Sequence, residues 1–406
     1  MNVLDKAVKC LSVPLCDNCL GRQFAQLLSG YSNDQRGRIL RTAAAMSMDK
    51  QDLENQDIDV SNFVNFKFHN LEVKEKTQSK TCHLCDGLFE KIDLLAKKAA
   101  KAAGKYEFSS FLIGTKLSFE LAQKEEDFWE KTGIEYCEPL KAEINREVGK
   151  RIENIMKKKF NAKNPDVNII VNLENNKTEV LVNPLFIYGE YQKLIRGIPQ
   201  TKWPSGKYKN SVEQIIAKPI MPATKGKAHK FHGLGREDID ARCLAWRPFV
   251  LEILQPKKRN IDLKKLSAKI DRKKVKIRNV QFSSVNEMRK LKESRADKTY
   301  SCTVICENIK KADLKKLSAL SLIHQKTPQR VLHRRADLLR KRNVKQISAK
   351  YINSKKFLLT VRTDAGLYIK ELVSGDNGRT KPSISELLDQ KCECKELDVI
   401  GIEWKK

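Results

Sequence analysis

Long apolar runs are missing from this chain. None approaches the roughly 20 residues that a helix needs to cross a bilayer, so no membrane association is expected. The opening residues, MNVLDKAVKCLSVPL, lack a basic patch followed by an extended apolar core. No export signal is therefore expected, and the expected compartment is the cytoplasm. Without export, the 11 cysteines are read as thiols or metal ligands, not as a disulfide framework. Glycine-rich cofactor loops are missing too. The stretch at Gly233 lacks the third glycine and the leading strand of a dinucleotide loop, and Ile113-Gly-Thr-Lys116 is not a Walker A motif. Neither a methyl-donor loop nor a Ser-Gly-Gly pyrophosphatase loop is found, and there is no internal repeat or low-complexity tract.

Acidic residues are scarce in one half only. Residues 1–200 carry 30 basic and 28 acidic residues, whereas residues 201–406 carry 49 and 22, a net +27 out of the chain's +29. Like charges repel in a compact state, so such an imbalance points to a polyanionic partner, and the expected class is a nucleic-acid protein. At 406 residues and 40% hydrophobic, the chain is large enough for two or three domains with real cores.

The expected fold class is α+β and multidomain. Residues 1–100 carry two CxxC pairs, and Ala96–Lys105 is an Ala/Lys-rich helix that Gly104 ends. Residues 101–195 read as a mixed unit. It has a strand over Phe108–Leu117, helices over Ala122–Lys131 and Pro139–Lys159, and a hairpin of Val167–Leu173 and Thr178–Leu185. Residues 196–230, rich in Pro, Gly and Lys, read as a basic linker. Residues 231–406 alternate strands (Phe249–Leu254, Tyr300–Cys306, Phe357–Val361, Val399–Trp404) with polar helices, which predicts a mostly antiparallel sheet.

Cys16-Asp-Asn-Cys19 and Cys82-His-Leu-Cys85 are two knuckles with 62 residues between them. Each CxxC turn aims two thiolates at one point, and two turns complete a tetrahedron that suits Zn²⁺ in a closed, structural site. Cys10 has the wrong spacing to compete as a ligand. Cys392 and Cys394 have no evident second pair, and they are read with Cys137, Cys243, Cys302 and Cys306 as small core residues.

In so basic a half, Gly233-Leu-Gly-Arg-Glu-Asp-Ile-Asp-Ala-Arg242 stands out as an acidic cluster on a glycine turn. Read locally, it is either a capped Arg–Asp loop or a catalytic carboxylate. GREDIDAR resembles the Gly-Arg-x-Asp loop of pseudouridine synthases, and GREDIDARCLAWRPFVLEI resembles the Pus10 family in particular. The resemblance extends to CDNCLGRQFAQLL, FLIGTKLSFEL, GIEYCEPLKAEINREVGKRI, the connector Pro184–Pro204, QKTPQRVLHRRADLLRKRNV and AGLYIKELVSGDNGRTKPSISELL. It covers nearly the whole chain, whose short length resembles the archaeal members.

That resemblance implies an N-terminal zinc and THUMP-containing accessory region followed by a pseudouridine synthase domain. It implies isomerisation of uridine in the TΨC arm of tRNA, at positions 54 and 55, by a monomer with no organic cofactor. Asp238 matches the nucleophile, and Asp240 matches less well. Arg236 would brace the hole left by an extruded base, Tyr300 and Tyr368 would line the uracil pocket, and Leu387 or Leu388 would pack its floor. Lys370 would keep the Asp238 carboxylate ionised as a point charge where many relatives place an arginine. Leu244-Ala-Trp-Arg-Pro-Phe249 departs from the family's usual glycine-containing loop, so a differently shaped loop is expected beside the site.

Basic stretches at Lys257–Arg259, Arg272–Lys276 and His333–Arg342 would meet phosphates. The near-neutral first half would grip the acceptor end through a local patch such as Lys157–Lys163. The alternatives are a non-catalytic tRNA-binding chaperone with a structural zinc, or another THUMP-containing modifier such as a methyltransferase or thiouridine synthase. The missing cofactor loops count against the latter.

Overall fold

The computed structural model describes residues 2–50, 57–70 and 78–404. Two compact units divide at Asn183 and Pro184. In the first, strands β1 (Ser110–Lys116), β2 (Lys159–Phe160), β3 (Val167–Asn172) and β4 (Lys177–Val182) form a sheet in the order β2-β1-β3-β4. Asn176, in the left-handed region at φ 55°, closes the expected β3–β4 hairpin. Helix Phe119–Thr132 starts where Ser118 accepts from the Leu121 amide, and Leu140–Met156 follows it.

The break expected near residue 100 is not seen. Helix Ile92–Ala103 buries Ala96, Ala99 and Ala103 in the same core as Phe111, Ile144 and Ile169 of the mixed α/β region and Cys19, Leu84 and Cys85 of the cysteine segment. Alanines allow close approach, so the cysteine segment and the sheet share one interior.

The second unit is built on strands β5 (Leu185–Lys193), β6 (Ala228–Gly233), β7 (Arg242–Leu254), β8 (Val275–Ser283), β9 (Asp297–Cys306), β10 (Leu322–Gln325), β11 (Arg340–Asn353), β12 (Lys356–Thr363), β13 (Thr380–Lys381) and β14 (Cys392–Glu403). Their order is β13-β10-β11-β12-β9-β14-β7-β5-β8, with β6 paired to β7. Among the described residues of this sheet only β14–β7 is parallel, so the expected mostly antiparallel sheet is observed.

Two boundaries differ from expectation. β5 pairs with β7 and β8, so the second unit begins at residue 184 and not 231. The stretch expected as a linker, 196–230, carries helix Val212–Thr224, capped by Ser211 and continuing through Pro219 and Pro222. Its apolar face (Val212, Ile216, Ile220) packs on Ile187, Tyr191 and Phe249 of the sheet. Its two prolines and the exposed Lys218 disguised this helix. Gly189 is required where β5 crosses β7, because a Cβ there would lie 2.8 Å from the Phe249 ring.

The cysteines of β9 and β14 do have partners. Cys392 stands opposite Cys306, and the Cys394 Sγ lies 2.8 Å from Cys302. Among the described residues no helix is long and apolar enough to cross a membrane.

Candidate active site

The acidic cluster forms the turn between β6 and β7. Gly235 sits at φ 72°, a conformation that favours glycine, and brings Arg236 to the surface while Glu237 turns inward. The Glu237 carboxylate is fully buried, 3.1 Å from Arg247 Nε and 3.8 Å from Lys193 Nζ, both equally buried. The Tyr191 hydroxyl donates to Glu237, at 3.0 Å for Oε2.

This buried group also grips the loop's backbone. Arg247 Nη1 donates to the Leu234 carbonyl at 2.7 Å, Gln200 Nε2 to the Gly235 carbonyl at 3.0 Å, and Lys193 Nζ to the Asp238 carbonyl at 3.0 Å. A segment held at three carbonyls has little freedom to move, so the next side chain, Asp238, has a fixed position.

The expected special loop at Leu244–Phe249 is instead the interior of β7. Trp246 faces out, with the Arg278 guanidinium 4.4 Å from its ring, and Arg247 faces in to join Glu237. Strand alternation explains both placements.

Asp238 opens into a cavity of about 450 Å³ that Arg236, Tyr300, Tyr368 and Lys370 also line. The five residues singled out from the sequence thus share one cavity. Sheet register puts Tyr300 of β9 beside Val361 and Val399, and burial pushes its phenol up to about 12. Tyr368 caps helix Ile369–Ser374, which places Lys370 on the rim.

Three placements differ from expectation. Lys370 pairs chiefly with Asp240, at 2.7 Å, and stands 3.6 Å from Asp238. Burial raises the Asp240 carboxyl, but Lys370's hydrogen bond and charge bring it below the usual carboxylate range. The nearer cation to Asp238 is Arg330, with Nη2 3.1 Å from Oδ2. Arg330 also donates from Nε to the buried Glu371 at 2.6 Å and lies 5.8 Å from the Tyr368 ring. Finally, Leu387 and Leu388 pack in the core of the β9–β12 face, and Leu234, Leu367, Leu397 and Val399 supply the cavity's apolar lining.

Arg330 and Glu371 had no local signal. Arg330 is one of many cations in its stretch, and 92 residues separate it from Asp238. Arg335, Arg340, Arg342, Arg295 and Lys292 also line the cavity, so the basic run His333–Arg342 reaches the site itself.

In the first unit, the thiols of Cys16, Cys19, Cys82 and Cys85 lie within 4.8 Å of one another and could hold a metal ion. Three of the four are buried. Nearby, Arg22 is fully buried with Glu125. Burial lowers its pKa, but the charges of Cys19 and Glu125 hold it protonated. A buried cation beside four sulfurs suits a site whose thiolates carry excess negative charge over a divalent ion.

The Pus10 C-terminal family matches residues 186–403, and the archaeal Pus10 THUMP domain matches residues 95–172. The tRNA pseudouridine synthase Pus10 of Methanopyrus kandleri is 37% identical over 95% of this chain and 94% of its own. That of Pyrococcus furiosus is 38% identical over 98% of both chains. With the Asp238 cavity in the second unit and the cysteine cluster and THUMP region in the first, the chain belongs to the Pus10 family.

Proposed function

We infer that this protein isomerises uridine to pseudouridine in tRNA, with Asp238 as nucleophile and the TΨC arm, positions 54 and 55, as target. The observation that carries the reading is a loop-anchored, one-third exposed Asp238 carboxylate at a cavity that two tyrosines, Arg330 and Lys370 share. About 450 Å³ suits a single extruded nucleotide.

The reaction breaks the N1–C1′ bond and joins C5 to C1′. N1 gains a proton and C5 loses one, so no electrons are exchanged and no organic cofactor is needed. Asp238, held by Arg330 and Lys370, supplies a carboxylate to the sugar or base. Tyr300 and Tyr368 offer faces to the freed uracil, and Arg236 at the mouth braces the space it leaves. The arginines around the opening meet phosphates, which position the RNA without choosing the base. The accessory unit joins in reading the shape of the arm. Cys16, Cys19, Cys82 and Cys85 hold a structural Zn²⁺, and the protein works as a cytoplasmic monomer.

The test is to incubate purified protein with tRNA transcripts and map pseudouridines by mass spectrometry. Product is expected in the TΨC arm, and Asp238→Ala is expected to abolish it while tRNA affinity stays within about threefold, since a carboxylate repels phosphates and so adds nothing to the attraction for tRNA. Binding without product in the wild type would favour the chaperone alternative.

A further inference from the structure

Lys298 lies two residues before Tyr300 on β9, so both side chains leave the same face of the strand and both line the Asp238 cavity. Its amine is pressed against the turn that carries the nucleophile: a Cβ on Gly235 would sit 2.6 Å from Nζ. Among the described residues, no hydrogen bond or ion pair satisfies this amine. The adjacent carboxylate, Glu237, is already taken by Arg247 and the Tyr191 hydroxyl.

The surroundings of the amine are mostly cationic. Burial, then the Arg247 charge, depress the Lys298 amine to about 8, while Cys243 and Glu237 act weakly the other way. Lys292, Arg295 and Arg236 add positive charge around the cavity, and the adjacent strands present Thr363 and Ile402, which do not titrate. A half-buried amine that faces a cavity and has no acceptor in the protein is open to one that a ligand brings.

We propose that Lys298 donates a hydrogen bond to a carbonyl oxygen of the extruded uracil, stabilising the negative charge that gathers on the base as its bond to C1′ breaks. This rests on the isomerase reading above. The electron pair of the N1–C1′ bond stays with uracil, and Lys298 keeps its proton, so the step needs no co-reactant. The base is a better fit than a phosphate. Phosphate charge is met at the opening by exposed Arg236 and Arg335, whereas Lys298 stands beside half-buried Tyr300 on the cavity wall. The charge appears only during reaction, so the contact favours the transition state over bound tRNA.

The experiment measures single-turnover pseudouridine formation and tRNA affinity for the full chain, Lys298→Met and Lys298→Arg from about pH 6.5 to 9.5. The wild-type rate is expected to fall as pH rises through about 8. Lys298→Met should lose about 10²–10³-fold in rate, with affinity within about threefold and no such fall. Lys298→Arg should keep part of the rate, also without the fall, because guanidinium does not titrate there. A Lys298→Met enzyme within about threefold of the wild-type rate, or a wild-type profile flat through pH 8, overturns the proposal. Should Lys298→Met fail to fold, the wild-type and Lys298→Arg profiles decide alone. A wild type that makes no pseudouridine sinks the isomerase reading and this proposal with it; an active wild type indifferent to Lys298 sinks this proposal only.

Discussion

Glu237 and Asp238 are adjacent carboxylates in opposite surroundings, one buried among cations and one open to the cavity, and Glu237→Gln tests what the buried one does. Glu237, Arg247 and Lys193 are all fully buried, and this one carboxylate faces two cations. Neutralising it leaves both uncompensated in a low-dielectric interior. Breaking a buried pair from one side costs about 3–5 kcal/mol. For a unit the size of Pro184–Lys406, each kcal/mol moves the melting point by about 2–4 °C, so a drop of about 6–20 °C follows. Total stabilities are about 5–15 kcal/mol, so most of the protein stays folded at room temperature. Activity should fall as well, because Arg247 and Lys193 also hold the carbonyls of Leu234 and Asp238. By contrast Asp238→Asn, at a side chain one-third exposed, should move Tm by no more than about 2 °C while removing activity. Calorimetry with a single-turnover assay reads both. The double change Glu237→Gln/Arg247→Gln should recover part of the lost stability, since one orphaned charge is gone. A Glu237→Gln protein that melts within about 3 °C of wild type would refute the claim that this ion group anchors the loop.

Two further predictions follow from the same geometry. Arg330→Met removes the nearer partner of Asp238 and orphans the buried Glu371, so it should cost about 1–3 kcal/mol by thermal melting. It should also lower the single-turnover rate about 100-fold with little change in tRNA affinity, whereas Lys370→Met should cost less because Lys370 rests mainly on Asp240. Elemental analysis should find about one zinc per chain; Cys85→Ser or a strong chelator should lower the melting transition of Met1–Asn183 and leave that of Pro184–Lys406 in place.

Local chemistry was legible in the residues themselves. Strand patterning announces β1, β9, β12 and part of β14, helical spacing announces helices Phe119–Thr132 and Leu140–Met156, and the turn at Gly235 with its carboxylates stands out in a basic half. The paired CxxC knuckles announce their cluster for the same reason: two residues between cysteines is itself a geometry. Helix Val212–Thr224 was hidden, because its two prolines and the lysines around it mimic a linker although its apolar face covers Tyr191 and Phe249.

Residue type and short-range spacing reveal the mostly antiparallel second half, the acidic turn at Asp238 and the four clustered sulfurs, and the family shows in motifs spread along nearly the whole chain. Folding is what selects Arg330 as the cation nearest Asp238, buries Lys193 and Arg247 as anchors among 79 basic residues, and turns Lys298 to the cavity without an acceptor. Those assignments depend on strand order and register across separations such as the 92 residues between Asp238 and Arg330. A lysine's charge is the same in every window of sequence, and burial alone gives it a particular role.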